Sequence, residues 1–233
     1  MNSKIYTLFL FFLGTFSSAI GQDIPTKVIQ DSDLDSAGVY TWTKDTIYHL
    51  DGFVFLENTG SLTIEAGTII KGLKQENVTS GDNASALIIS RGATIYAVGT
   101  KDAPIIFTGE DDDLTDPFDL TPFDRGEWGG LIILGAGTLG NSSPEAAIEG
   151  IPAGEYRAVY GGTNDADSSG VLKFVSIRHG GAALSPGDEI NGLTLGGVGS
   201  GTEISYVEVY SNLDDGIEFF GGAVDFTLIL FVS

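Results

Sequence analysis

The sequence predicts an all-β protein with a single architecture, a right-handed parallel β-helix, in which the chain winds repeatedly around one axis. Short strands rich in β-branched and aromatic residues alternate with glycine turns, most clearly between Gly196 and Gly222. Similar units recur back to about Gly60, and amphipathic helical spacing is missing after residue 21. A winding of this kind buries its apolar face only when the next one stacks on it, which defines a solenoid.

Residues 1–21 have the composition of an export signal. Lys4 supplies a positive start, Ile5 to Phe16 form an apolar stretch, and Ala19-Ile20-Gly21 places small residues before a cleavage point. The apolar stretch is shorter than the ~20 residues that a membrane-spanning helix needs. We therefore expect the mature chain to begin at Gln22, without a transmembrane segment, and to be secreted or held on the outer surface of a bacterial cell.

The segment 22–50 is irregular, and we expect it to cap the first winding, whose open edge would otherwise pair with another chain. The β-helix is predicted over residues 51–233. Its repeat is visible in Gly67-Thr68-Ile69 and Gly92-Ala93-Thr94-Ile95, which lie about 25 residues apart, within the range of solenoid repeats. The residues from Ala223 onward are apolar, so further windings are expected after Ser233 in the intact protein.

The composition limits the classes of partner. The chain has 233 residues, including 33 glycines, and a formal net charge of −21. That charge repels phosphate backbones and anionic lipids, so nucleic acid is not an expected partner. The absence of cysteine excludes disulfides and thiolate metal sites. Calcium ions and glycans are compatible with the acidic surface, and we expect a monomer that binds a polysaccharide or a cell-surface component.

Several motifs resemble those of secreted right-handed parallel β-helix proteins of Bacteroidetes and marine bacteria, a largely uncharacterised group. The motifs are Gly92-Ala93-Thr94-Ile95, Pro104 to Thr108, Trp128-Gly129-Gly130, Tyr160 to Thr163, Gly197 to Thr202 and Asp214 to Gly222. The resemblance covers most of the chain from about Leu62 onward. It implies the β-helix fold and a surface protein of the type IX secretion kind, and it implies no particular activity.

The candidate catalytic residues are Asp214, Asp215 and Glu218, with Arg178 as a charge neutraliser. Alternate residues of a strand share a face, so two of these carboxylates could work as acid and base. Polygalacturonase-like β-helix hydrolases use an Asp-Asp step followed by Gly-His-Gly and Arg-Ile-Lys elements, whereas here Arg178 and His179 precede the pair. The alternative is that the carboxylates cap turns, accept from backbone amides or hold a structural calcium ion.

Two segments rich in Asp, Pro, Gly and Ser interrupt the repeat, Glu110–Glu127 and Asn141–Asn164, and both are expected to be loops that leave the coil. Insertions often form the binding face of a solenoid. Rings in or beside these loops are candidate ligand-binding residues because an exposed ring stacks on a sugar face: Phe118, Phe123, Trp128, Tyr156 and Tyr160. The alternative is that the rings pin the loops to the coil.

The first of these loops carries a dense run of carboxylates. Its candidate calcium ligands are Asp111, Asp112, Asp113 and Asp116, since calcium prefers hard oxygen ligands. The spacing of an EF-hand is missing, so a solvated acidic loop is the alternative interpretation.

These patterns predict a secreted or cell-surface β-helix module for surface interaction or glycan binding, with calcium as a candidate stabilising ion. The alternative is a polysaccharide lyase or glycoside hydrolase that uses the carboxylate cluster. A lyase acting on uronic acids needs positive charge near the substrate carboxylates, and the chain has few basic residues. Binding is therefore the preferred hypothesis. Convergence of Arg178, His179 and Asp214 on one exposed groove would favour the enzyme.

Overall fold

A computed structural model of the protein describes residues 24–34, 37–140, 142–185 and 188–232. The export signal predicted for residues 1–21 lies outside the described residues. The described chain contains three short 3₁₀ helices, Asp31–Asp33, Gln75–Asn77 and Tyr156–Ala158. None of the helices in these ranges has the length and apolar character of a membrane-spanning segment.

Short strands account for the regular structure of the described chain. In order they are β1 (Thr26–Ile29), β2 (Val39–Trp42), β3 (Ile47–Leu50), β4 (Phe53–Leu56), β5 (Ser61–Ile64), β6 (Ile69–Gly72), β7 (Ala86–Ile89), β8 (Thr94–Val98), β9 (Ile105–Gly109), β10 (Leu131–Leu134), β11 (Ala146–Ala147), β12 (Val159–Tyr160), β13 (Gly170–Arg178), β14 (Ala183–Ser185), β15 (Asp188–Glu189), β16 (Leu193–Gly196), β17 (Glu203–Tyr210), β18 (Ile217–Phe220) and β19 (Phe226–Val232).

The strands lie on three sides of a coil, which confirms the right-handed parallel β-helix predicted from the sequence. One side is a five-stranded parallel sheet in the order β18-β16-β10-β7-β4. The other two sides are the flanks of a ten-stranded sheet, with β2, β5 and β8 on one flank and β1, β3, β6 and β9 on the other. From β13 onward one long strand serves both flanks, because its first half pairs with β8 and its second half with β9.

Side chains alternate between the inside and the outside of the coil. In β5, Leu62 and Ile64 are buried while Thr63 is exposed, as expected for a strand with one face on the core. Successive windings stay in register, so equivalent inward residues stack in columns, and Leu87 and Leu193 both pair with Leu131. Apolar burial contributes about 25 cal/mol per Å² of apolar surface, and the chain has no disulfide to supplement it.

The long strands bend at a single residue with positive φ. These residues are Phe174 (50°), Tyr206 (56°) and Leu228 (58°). Each lies at the corner between the two flanks of the ten-stranded sheet. In the first winding this corner is a four-residue turn, residues 43–46, between β2 and β3. Bulky side chains rarely adopt this conformation, which costs about 1–3 kcal/mol each. The rings of Phe174 and Tyr206 stack with centroids 4.4 Å apart and planes 15° from parallel, and this contact offsets part of the strain.

Regular pairing starts within the segment 22–50 that the sequence predicts to be an irregular cap. Strand β1 pairs with β3, and β2 pairs with β5, both in register with the later windings. Ile29 and Leu50 point into the core, and the rings of Trp42 and Tyr48 stack at 4.8 Å. The segment continues the ten-stranded sheet because it supplies the inward side chains that a first winding needs.

Candidate functional site

The segment between β10 and β13, residues 135–169, lies over the outer face of the five-stranded sheet, and we call it the cover segment. Its apolar side chains join the outward side chains of the sheet in one buried cluster, which includes Leu139, Ile148, Ala158, Tyr160, Phe55, Ile88 and Ile132. Strands β4, β7, β10 and β16 are therefore buried on both faces. Most of this segment was predicted as a loop that leaves the coil, but it forms an additional layer of the fold.

Tyr160 illustrates how the cover segment is fixed. Its side chain is 6% exposed, and its ring packs against Phe220 with centroids 6.0 Å apart. Burial raises the pKa of the Tyr160 phenol above its usual value. The ring pins the segment to the sheet, which was the alternative interpretation, and it offers no face to a ligand.

Arg157 ties the cover segment to the N-terminal turn of the described chain. Its Nη1 donates to both carboxylate oxygens of Asp31, at 3.1 and 2.8 Å, and its Nε and Nη2 donate to Glu155, at 2.9 and 2.8 Å. The guanidinium carbon lies 4.0 Å from the centroid of the Phe55 ring. Its hydrogen bonds to the carboxylates of Glu155 and Asp31 raise the pKa of Arg157, so the guanidinium stays charged.

An open groove of about 620 Å³ lies beside this arginine. Apart from Leu34, its lining residues are of polar type: Gln30, Asp31, Ser32, Glu57, Ser80 and Arg157. Tyr156 lies outside this lining but is joined to it, because its hydroxyl donates to Glu57 Oε2 at 2.8 Å; its side chain is 71% exposed. The groove thus offers carboxylate and hydroxyl oxygens to a ligand. The Gln30 amide already donates to Asp51 and Thr79. Arg157 already donates four hydrogen bonds to Asp31 and Glu155.

The predicted catalytic arginine and glutamate lie on different sheets. Arg178, on the ten-stranded sheet, donates through Nε to Ser176 Oγ at 2.8 Å, and its Nη2 lies 3.7 Å from Glu208. Glu218 lies on the five-stranded sheet, where its Oε2 accepts from Asn191 Nδ2 at 2.5 Å. Each group is held by its own neighbours, so the pair does not form one catalytic arrangement.

The two predicted catalytic aspartates occupy the turn between β17 and β18. Asp214 and Asp215 are exposed, and their backbone carbonyls accept from Asn212 Nδ2 at 3.2 and 2.8 Å. This geometry is that of a turn closed by an asparagine side chain. These bonds are made by backbone carbonyls, so they show a turn at this position and assign no role to the two carboxylates.

His179 helps to hold the segment 110–127, which we call the acidic loop. The imidazole is 3% exposed and packs edge-on against Tyr210, with ring centroids 5.4 Å apart. Its Nδ1 lies 2.6 Å from the carbonyl oxygen of Asp124, and a hydrogen bond to a carbonyl places a proton on Nδ1. The histidine therefore helps to fix the position of the acidic loop.

Two lysines anchor the start of the acidic loop. Lys74 Nζ lies 2.7 Å from Asp111 Oδ2 and 2.6 Å from Glu127 Oε2, and Lys71 Nζ donates to the carbonyl of Asp112 at 2.7 Å. Hydrogen bonds from Lys74 to these two carboxylates raise the pKa of its ammonium group. Both ends of the loop are consequently fixed to the coil.

The predicted calcium ligands have separate partners. Asp111 pairs with Lys74, as above, and the buried Asp112 accepts from Thr108 Oγ1 at 2.6 Å. Asp113 Oδ1 accepts from the Thr115 hydroxyl at 2.7 Å and from the Thr115 amide at 3.0 Å, and these bonds lower the pKa of that carboxyl. Asp116 Oδ1 accepts from the amide of Phe118. In the part of the chain that the structure describes, no group of three or more His, Asp or Glu is arranged to hold a metal ion.

The remaining rings divide into buried and exposed ones. Trp128 is 1% exposed, stacks against Phe107 at 6.4 Å and donates from Nε1 to the carbonyl of Arg178 at 2.8 Å. Phe118 and Phe123 in the acidic loop are each 86% exposed. Trp128 thus pins the chain after the loop, while the two phenylalanines remain open to solvent.

Sequence reasoning missed the residues that build the groove, Asp31, Glu57 and Arg157. One signal was present, because Arg157 is the sole basic residue within the predicted loop Asn141–Asn164. Its two carboxylate partners are distant in sequence from one another, and only the coil brings Asp31 and Glu155 to the same guanidinium.

These features define a parallel β-helix with one covered sheet and a polar groove beside the first windings. A family model for a pectate-lyase-like β-helix domain matches residues 35–233, and the chain belongs to that family. No curated protein and no solved structure matches the chain.

Proposed function

We propose that the protein is a secreted or cell-surface polysaccharide-binding module and that the groove beside Arg157 is its binding site. The observation that carries this proposal is the combination of an open polar groove of about 620 Å³ with the exposed ring of Tyr156, which is joined to it through Glu57. Membership of a pectate-lyase-like β-helix family supports a role with polysaccharides.

The groove suits a ligand with many hydroxyl groups, since each hydroxyl both donates and accepts. Glu57 uses one carboxylate oxygen for the Tyr156 hydroxyl, which leaves the other for a ligand hydroxyl. A sugar ring stacks on the face of Tyr156 through its apolar side. Because Arg157 is already bonded to Asp31 and Glu155, the donors and acceptors are fixed before the ligand arrives.

Charge favours neutral sugars and amino sugars over uronic acids. The carboxylates of Asp31 and Glu155 already neutralise Arg157, and Glu57 adds a further negative charge to the groove. The formal net charge of −21 also repels a polyanionic chain. This preference separates the proposed module from enzymes that cleave acidic polysaccharides.

Binding is preferred over catalysis because the candidate catalytic residues are dispersed. Arg178 and Glu218 lie on separate sheets, and Asp214 and Asp215 lie in a turn closed by Asn212. Calcium stabilisation remains a separate prediction, which chelation followed by thermal unfolding would test.

The proposal is tested by calorimetry with neutral, amino-sugar and uronate oligosaccharides. We expect a neutral or amino-sugar ligand to bind, and Tyr156→Ala to weaken it about tenfold through loss of the stacking face. Tyr156→Phe keeps the ring and removes only the hydroxyl, so its loss should be smaller. Tyr96→Ala is the matched control, because that tyrosine is 41% exposed and lies on β8, on a flank of the ten-stranded sheet.

Three results would contradict the proposal: no binding across the panel, equal affinity for wild type and Tyr156→Ala, or preferential binding of uronates. Appearance of new reducing ends or unsaturated products on incubation with polysaccharide would replace it with the hydrolase or lyase alternative.

A further inference from the structure

The acidic loop contains a short tandem repeat. Asp116-Pro117-Phe118-Asp119 is followed, after Leu120, by Thr121-Pro122-Phe123-Asp124, so the unit Pro-Phe-Asp occurs twice at a spacing of about five residues. At about 3.5 Å per residue, this spacing keeps the two phenylalanine Cα atoms within about 18 Å of each other. The two rings can therefore reach one partner surface together.

Both copies fold into the same kind of turn. The Asp119 amide donates to the Asp116 carbonyl at 3.5 Å, and the Asp124 amide donates to the Thr121 carbonyl at 3.0 Å. Proline before the phenylalanine restricts φ at the second position of each turn. The repeat thus presents its phenylalanine at the same position of two consecutive turns.

A side chain also holds each phenylalanine amide. Asp116 Oδ1 accepts from the Phe118 amide at 3.0 Å, and Thr121 Oγ1 accepts from the Phe123 amide at 3.3 Å. Both rings are nevertheless 86% exposed. The backbone around the rings is ordered by hydrogen bonds while the rings themselves stay in water, so little ordering cost remains for a binding event.

The charge around the rings is predominantly negative, and the one basic side chain of the loop, Arg125, donates from Nε to the carbonyl of Pro122 at 2.8 Å. Asp113, Asp116 and Asp119 are exposed, and none of them forms an ion pair within the described residues. The lysine at the base of the loop, Lys74, is already paired with Asp111. A partner must therefore bring its own positive charge.

We propose that these tandem turns are a two-point docking site for a second protein whose surface has two apolar pockets rimmed by Lys and Arg. The two free rings supply the apolar contacts, and the surrounding carboxylates supply complementary charge and steering. An anionic membrane is disfavoured by the same carboxylates. A sugar stacked on the rings is the competing occupant, and the test below distinguishes it from a protein. The site is independent of the Arg157 groove.

The test is selection from a random peptide library against the immobilised full chain, followed by affinity measurements on the selected peptides. We expect them to combine two apolar or aromatic residues with Lys or Arg, and to bind more weakly as salt rises. Phe118→Ala and Phe123→Ala should each weaken binding about tenfold, and the double variant about a hundredfold.

Two controls keep this test separate from the proposed glycan function. Val39→Ala removes another exposed apolar side chain, 82% exposed on β2, and should leave peptide affinity unchanged. Tyr156→Ala should weaken oligosaccharide binding and not peptide binding. Thermal unfolding of the double variant should match wild type, because both rings are exposed.

The proposal fails if the selected peptides bind the double variant as well as wild type, if they are neutral or acidic, or if no peptide is enriched. If the double variant instead loses oligosaccharide binding, the turns are part of a glycan site and the protein-docking proposal is wrong.

Discussion

The acidic loop and the cover segment are both insertions into the same coil, but they do opposite things. The cover segment buries Tyr160 and Ile148 against the five-stranded sheet and becomes part of the core. The acidic loop keeps Phe118 and Phe123 in solvent and is held only at its ends and by its own turns. One insertion is a structural layer, and the other is a presented surface.

The difference shows that composition alone does not reveal what an insertion does. Both segments contain Asp, Pro and Gly, which are typical of loops. In the cover segment, however, Leu139, Ile148 and Tyr160 are spread along its length, so they reach separate places on a broad apolar sheet. In the acidic loop both phenylalanines follow a proline within a tight turn, which directs them outward.

The sharpest test of this comparison substitutes one aromatic residue in each insertion. Tyr160→Ala should lower the free energy of unfolding by about 3 kcal/mol, because it leaves a cavity against Phe220 and the sheet. Phe123→Ala should change it by less than about 0.5 kcal/mol, because the ring is 86% exposed. Urea unfolding measures both, and equal losses would mean that the two insertions do not differ as described.

A smaller effect is expected from releasing the base of the acidic loop. Lys74→Met removes the contacts with Asp111 and Glu127 and should cost about 1 kcal/mol. Amide exchange should become faster in residues 110–127 and stay unchanged in the cover segment. Lys101→Met, at an exposed position outside any described ion pair, is the matched control; faster exchange in both segments after Lys74→Met would show that they are coupled.

The smallest expected effect is the loss of turn stability in the acidic loop at low pH. Hydrogen bonds from Thr115 and Thr121 lower the pKa of the Asp113 and Asp124 carboxyls below the usual value of an aspartate side chain. Because the folded pKa is depressed, the stabilisation of these turns is complete above about pH 4 and is lost as pH falls through the folded pKa. We expect the amide chemical shifts of Thr115 and Thr121, followed by NMR, to change with a midpoint below the usual pKa of an aspartate side chain. A midpoint at or above that pKa would show that hydrogen bonds do not lower the pKa of Asp113 and Asp124.

The fold was predictable because windings that stack on one another require a repeated pattern in the sequence. Glycine turns and short β-branched strands such as Gly92-Ala93-Thr94-Ile95 recur at each winding, and the register of Leu62 with Ile95 repeats that period in space. The position of the first winding was less visible, because β1 and β2 are short and separated by a 3₁₀ turn at Asp31–Asp33.

The site was less predictable because its members meet only through the coil. Asp31 and Arg157 are far apart in sequence, and no local motif joins them. The Asp214-Asp215 pair looked like a catalytic motif for the opposite reason, since it is local, and Asn212 turns it into a closed turn. For Trp128 the sequence left ligand binding and pinning as alternatives, and the burial of its ring against Phe107 favours pinning.

The corner that leads into the five-stranded sheet accepts very different lengths of chain. It consists of residues 51–52 before β4, 73–85 before β7 and 110–130 before β10, yet the strands that follow pair in register. Closing the longest of these costs only about 2 kcal/mol more than closing the shortest. We therefore expect that foreign sequences can be inserted at this corner. The inserted loops would bind new ligands, while the stacked windings would continue to stabilise the fold.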